Sequence, residues 1–213
     1  MVQAYKRGAC EMLMTKIVNV FSIVRISVLV LFSINVFAGH EQHQMAKPIL
    51  DDNTLDCQQV DIRCAKTMTS AFAPNGELWR LWSQHQQMYY QISTDRGDTF
   101  SAIKRIAINK EKISARNENR PKIAFDSKQG VHLSWAMSRE KKYTADIRYS
   151  YSTDYGKTFS SPITVNDDGR LTGHSFNEML IDEKDQVSIV WLDGRLKKVK
   201  SKGQGSAIYL ARF

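Results

Sequence analysis

Cysteine is scarce: Cys10, Cys57 and Cys64 are the only three in 213 residues. Three thiols cannot make a four-cysteine metal site, and nothing near Cys57 and Cys64 supplies a second pair of ligands at metal-binding spacing. No apolar run ending in small residues stands directly before a cysteine, which argues against a lipid-anchored amino terminus. Clustered positive charge is scarce too. Of 30 Lys and Arg and 22 Asp and Glu, Lys6, Arg7, Lys16, Arg25 and Glu11 fall within residues 1–38, so the remainder carries about +5, scattered along the chain. The one basic run, 195–202, has no interleaved aromatic residues to stack bases. That argues against nucleic acid and for a solvated loop, with an anionic partner as the alternative.

Long hydrophobic runs are confined to the beginning. Residues 17–37 are apolar almost throughout, with Lys6, Arg7 and Lys16 ahead and Val36, Phe37 and Ala38 behind. A basic start, an apolar centre and a small residue at the cut predict a signal peptide over residues 1–38 and a mature chain from Gly39; Met14 offers a second start. The stretch is also about long enough to remain as a membrane anchor, although Arg25 interrupts it. In both cases the remainder is exported, periplasmic or secreted, and the membrane is a partner only if the segment stays uncleaved. Residues 39–64 read as a flexible lead-in, in which His40 and His43 lack a third fixed ligand for a metal. Cys57 and Cys64, alone in an oxidising compartment, predict a disulfide.

What is abundant is repetition. Ser93-Thr94-Asp95-Arg96-Gly97-Asp98-Thr99-Phe100 and Ser152-Thr153-Asp154-Tyr155-Gly156-Lys157-Thr158-Phe159 agree at six of eight positions, and each sits between alternating apolar runs. The pattern S-T-D-x-G-x-T-F predicts a hairpin turn: Asp accepts from backbone N–H groups ahead of it, Gly takes the positive φ, Ser and Thr close the loop, and Phe returns to the core. Three period-2 strands end in Trp82, Trp135 and Trp191, spaced 53 and 56 residues, and the octapeptides lie 59 apart. A period of roughly 50 residues with several strands per unit suits a propeller blade. The expected fold is therefore an all-β propeller domain over 65–213, with blades at about 65–107, 120–165 and 176–213. The last blade lacks its fourth strand, so about three blades are present.

The octapeptides resemble the Asp box, or BNR repeat, of the sialidase-like β-propellers, and the run 191–195, W-L-D-G-R, is similar to exported bacterial members. The resemblance covers about residue 65 onward. It implies a six-bladed ring, of which this chain looks truncated, and a function of glycan or protein-partner binding through the axial face. The alternative is a divergent exo-α-sialidase or related glycoside hydrolase. Sialidases of the family place one arginine in a Phe/Tyr-Arg-Ile/Leu-Pro motif, but the corresponding region here holds Ile62-Arg63-Cys64-Ala65. No catalytic residue carries over.

Blade topology sorts the remaining residues. Turns joining strands 1 to 2 and 3 to 4 share one rim, so Asp95 and Asp154 are structural turn residues. The loops after strands 2 and 4 share the other rim, which gathers Arg120, His174, Glu178, Asp193 and Arg195 as ligand candidates. Arginines there suit a carboxylate ligand, such as an anionic glycan, and Asp or Glu beside them an acid or base. The alternative for 193–195 is a turn whose Arg pairs locally with an acid. No cofactor and no metal site are expected.

Overall fold

The computed structural model describes residues 3–4, 56–116, 118–197 and 205–213. The expected leader, apart from Gln3–Ala4, and His40 and His43 lie outside the described residues, as does most of the basic run. Among the described residues the chain is all β apart from one 3-10 turn, Ile62–Cys64, and no helix is long and apolar enough to cross a membrane.

Among the described residues twelve strands form three four-stranded antiparallel sheets. Sheet one is the meander β2 (Met68–Phe72), β3 (Leu78–Gln84), β4 (Gln87–Ser93), β5 (Lys104–Arg105). Sheet two repeats it with β6 (Lys122–Phe125), β7 (Val131–Ser138), β8 (Ala145–Ser152) and β9 (Ile163–Thr164). Sheet three has β10 (His174–Ile181), β11 (Val187–Asp193) and β12 (Ala207–Arg212), and its fourth strand is β1 (Gln3–Ala4). The fourth position, for which the sequence pattern offers no strand after β12, is taken by two residues from the beginning of the chain, which pair with Tyr209 and Leu210.

The first strands of successive sheets lie side by side and are tied across. Thr69 Oγ1 donates to the Pro121 carbonyl at 2.7 Å, and Asn177 Nδ2 donates to Ser134 Oγ at 2.9 Å. Two cores fill the spaces between sheets. Trp79, Leu81, Met88, Tyr90, Leu133 and Trp135 are among those filling the first, and Ile147, Tyr149, Met179, Ile189 and Trp191 the second. β11 alternates buried and half-buried, as a strand with one packed face must, whereas Val131 to Ala136 of β7 are all buried because sheet two is covered on both faces. The opposite face of sheet three is open and apolar, with Leu180 70% and Ile208 57% exposed.

The strands containing Trp82, Trp135 and Trp191 run beyond these residues. β3 continues to Gln84 because His85 and Gln86 (φ 50° and 61°) make a two-residue turn with both central residues left-handed, which joins β3 directly to β4. β7 continues to Ser138 and β11 to Asp193, so Ala136, Met137 and Asp193 are strand residues rather than loop residues.

Both octapeptides close the turn after a third strand with the same bonds. Ser93 Oγ accepts from Gly97 N at 2.7 Å and donates to Asp95 Oδ1, which accepts from Thr99 N at 2.9 Å; Ser152, Gly156, Asp154 and Thr158 repeat this at 2.8, 2.7 and 2.8 Å. Positive φ falls on two successive residues, Arg96 and Gly97 or Tyr155 and Gly156, and only the second is a glycine. Phe159 packs on the first core, but Phe100 does not reach it: it lies half-buried beneath the Arg80 guanidinium, 3.5 Å from the ring centroid.

Candidate functional site

The register places two groups of loops at opposite ends of the sheets. In sheet two Val131 pairs with Ser152, which opens the second octapeptide, whereas Ser138 pairs with Ala145 at the far end. At that far end Ala145 also bridges Gly173, just before β10, and His174 pairs with Asp193. The start of β8, the start of β10 and the end of β11 therefore converge, and the loop after β9 brings Asn166, Asp167 and Asp168 to them.

The convergence buries a polar cluster. His174 and Asp193 have no exposed surface, and the Asp168 side chain retains 5%. His174 Nδ1 lies 2.7 Å from the Ala145 carbonyl, an acceptor only, so this nitrogen carries the proton. Its Nε2 faces Asp168 Oδ1 at 3.2 Å and Asp193 Oδ2 at 3.4 Å without a hydrogen bond to either. Asp193 accepts from Trp191 Nε1 at 3.0 Å, from Arg195 N at 2.9 Å and from an Arg195 terminal nitrogen at 2.8 Å. Arg195 also reaches Asp167 at 2.8 Å. Asp146 is held by Arg139 and Asn166.

Burial pushes the Asp193 carboxyl up, but the bonds from Arg195 and Trp191 outweigh it and hold the group below 3.8. Burial likewise opposes the charge of Arg195, and its bonds to Asp193 and Asp167 more than restore it. The Arg195 planar fork joins two carboxylates, as bidentate guanidinium geometry permits.

Three of the five ligand candidates, His174, Asp193 and Arg195, thus meet in one cluster, with Arg195 engaged by neighbouring acids. Glu178 and Arg120 stand apart from it. Glu178 is exposed and pairs with the buried Lys122. Arg120 is exposed beside Asn119, whose side chain accepts from Phe176 N at 3.0 Å. Phe176 itself is 46% exposed, at φ 55°, in the register shift between Ser175 and Glu178. A bulge that holds an aromatic residue outward re-aims a side chain at a rim, where such irregularities gather.

Asp168 and Phe176 are the residues that sequence reasoning missed. The acidic pair at 167–168 followed by Gly169 marks a turn after a fourth strand, the same rule that selected Asp193, and so offered a signal for Asp168. Phe176 had none, because a bulge is a matter of pairing.

The class defined by these features is an all-β protein of four-stranded antiparallel sheets with a buried Asp–His–Arg cluster at one rim. No protein-family model matches the sequence, and no curated protein does. Solved structures with some likeness include the endo-arabinase from Bacteroides thetaiotaomicron (12% identity, TM-score 0.45, 68% of this chain and 55% of that one). They include also the α-L-arabinanase of Penicillium chrysogenum complexed with arabinobiose (16%, 0.48, 64% and 43%) and the α-L-arabinofuranosidase of Fusarium graminearum (17%, 0.44, 66% and 43%). The chain spans about half the length of these proteins or less.

Proposed function

We propose that this chain is part of an exported, sialidase-like Asp-box propeller protein that binds a glycan or a protein partner through the rim carrying Arg120 and Phe176. The observation that carries the reading is the repeated octapeptide, identical in bonding in two successive sheets and set at the end opposite the polar cluster. Turns so closely determined by their own side chains serve the hairpin, which leaves the other rim for recognition. Arg120 has no ion pair among the described residues and supplies a guanidinium for a carboxylate or sulfate, and Phe176, bonded through its backbone to the adjacent Asn119, an exposed ring for a sugar face. The Cys57–Cys64 disulfide supports export, since such bonds persist in oxidising compartments. The open apolar face of sheet three supports a ring that a further sheet continues.

The alternative is a divergent exo-sialidase or related glycoside hydrolase. A fluorogenic sialoside assay on the 213-residue chain, run beside binding to an array of anionic and neutral glycans, separates the two. The binding reading expects salt-sensitive retention of anionic glycans and no turnover. Turnover by this chain overturns it in favour of the hydrolase.

A further inference from the structure

We infer that Asp168, His174 and Asp193 form a binding site for a divalent transition-metal ion, with Zn²⁺ as its natural probe. One donor atom from each lies within 4.8 Å of the others.

The His174 tautomer sets the problem. With Nδ1 donating to the Ala145 carbonyl, Nε2 is turned toward Asp168 Oδ1 and Asp193 Oδ2. Nε2 and Asp168 thus face each other with no donor between them, and Asp193 Oδ2, although it accepts from Trp191 Nε1 and an Arg195 terminal nitrogen, borders the same space, an arrangement that favours a positive species there. A proton on Nε2 answers poorly, because neither oxygen lies where an N–H would point and Nε2 makes no hydrogen bond. Asp168 is equally short of donors. Its Oδ2 is buried with no partner, and Oδ1 is approached only by Asn166 Nδ2 and Arg170 N, both at 3.5 Å. Arg195 meets this need on the Asp193 side alone: one terminal nitrogen lies 2.8 Å from Asp193 Oδ2 and the other turns to Asp167, while its Nε is without a partner 3.8 Å from Asp168 Oδ2.

A metal ion fits the two separations measured from Nε2. Bonds of about 2.0–2.1 Å in a tetrahedral shell set donor atoms about 3.3–3.4 Å apart. The two distances from Nε2 are 3.2 and 3.4 Å. The outer shell is present as well. A metal-bound imidazole gives its other N–H to a carbonyl or carboxylate, and ligating carboxylates are themselves hydrogen-bonded; Ala145 serves the first requirement, Trp191 and Arg195 the second. Charge agrees. The carboxylates Asp146, Asp167, Asp168 and Asp193 outnumber the guanidiniums Arg139 and Arg195, of which Arg139 also pairs with Glu140, so the cluster carries surplus negative charge that a divalent cation reduces. An imidazole among carboxylates suits Zn²⁺ and its neighbours, whereas Ca²⁺ and Mg²⁺ prefer oxygen alone. Three protein ligands leave a fourth position for water or a ligand oxygen at the rim.

The test uses the full chain, stripped with chelator and titrated with Zn²⁺ alone by calorimetry and with Co²⁺ by visible absorption. The expected result is one equivalent of metal and the absorption of a low-coordinate Co²⁺. Asp168→Asn should weaken binding by more than the roughly 10–100-fold that loss of an outer-shell partner costs. A double His40→Ala/His43→Ala variant should retain the equivalent, which separates this site from the lead-in histidines. A folded wild-type chain that takes up no metal overturns the inference, as does an Asp168→Asn variant that binds like wild type. If that variant does not fold, X-ray absorption of the Zn²⁺-loaded wild type decides: one imidazole with carboxylate oxygens supports the site, and any other first shell refutes it.

Discussion

Trp79 Nε1 donates to the Tyr155 hydroxyl at 3.3 Å across the boundary between sheets one and two. Tyr155 is the variable residue of the second octapeptide, and its hydroxyl also accepts from Asn75 Nδ2 at 2.9 Å and donates to Glu77. The ring stands edge-on to Trp79, which is itself fully buried and stacked on Tyr90 with centroids 4.7 Å apart. One octapeptide therefore closes its own hairpin and clamps the preceding sheet.

Tyr155→Phe keeps the ring and removes the hydroxyl, so it should cost about 1–2 kcal/mol in urea unfolding. Tyr155→Ala, which also opens the aromatic cluster, should cost about 3 kcal/mol or more. If both variants unfold at the wild-type midpoint, this contact does not join the sheets.

The acidic residues of the two turns give a pH signature. Hydrogen bonds from Ser93 and Thr99 hold Asp95 well below 3.8, and those from Thr158 and Ser152 hold Asp154 at about 2. Each carboxyl binds a proton less readily in the fold than in the unfolded chain. The stability they confer is thus complete above the unfolded value near 3.8 and is lost as pH falls through about 2. Asp154→Ala should melt a few degrees below wild type at neutral pH, and the gap should narrow as the medium is acidified below pH 3.8. A gap that stays constant down to low pH contradicts the assignment.

Cys57 and Cys64 are joined, with Cα atoms 5.6 Å apart, and the loop between them is fastened to the end of β3. Gln84 Nε2 donates to the carbonyls of Cys57 and Gln59 at 3.2 and 2.9 Å. Closing so short a loop stabilises by about 2–3 kcal/mol in the chain-entropy description. A Cys57→Ser/Cys64→Ser variant should lose about that much in urea unfolding while the sheets keep their circular dichroism. No change on reduction of the wild type would show that the loop contributes nothing to the fold.

The sequence carries the hairpins and hides the cluster, for a physical reason. Ser93, Asp95, Gly97 and Thr99 bond only within five residues of one another, so their spacing records the turn directly. The limits of β3 depend on His85 and Gln86 adopting positive φ, which neither residue type announces. The meeting of His174, Asp193 and Arg195 follows from counting strands to a rim. The same count brings Asp168, in the loop after β9, to that rim, but its approach to His174 depends on how sheets two and three meet, as at the bridge between Ala145 and Gly173, and no local pattern encodes that.

The division of labour between the two rims is the central claim, and paired measurements on Arg120→Ala and Asp154→Ala test it most directly. Thermal melting and retention of anionic glycans are read for both variants against wild type. The account predicts that Arg120→Ala melts with wild type and loses the glycans, because its exposed side chain supports recognition and not packing. It predicts that Asp154→Ala melts earlier and still binds, because its carboxylate is spent on Ser152 and Thr158. Loss of binding by Asp154→Ala at unchanged melting temperature, with Arg120→Ala binding normally, would put recognition on the octapeptide rim and contradict the account.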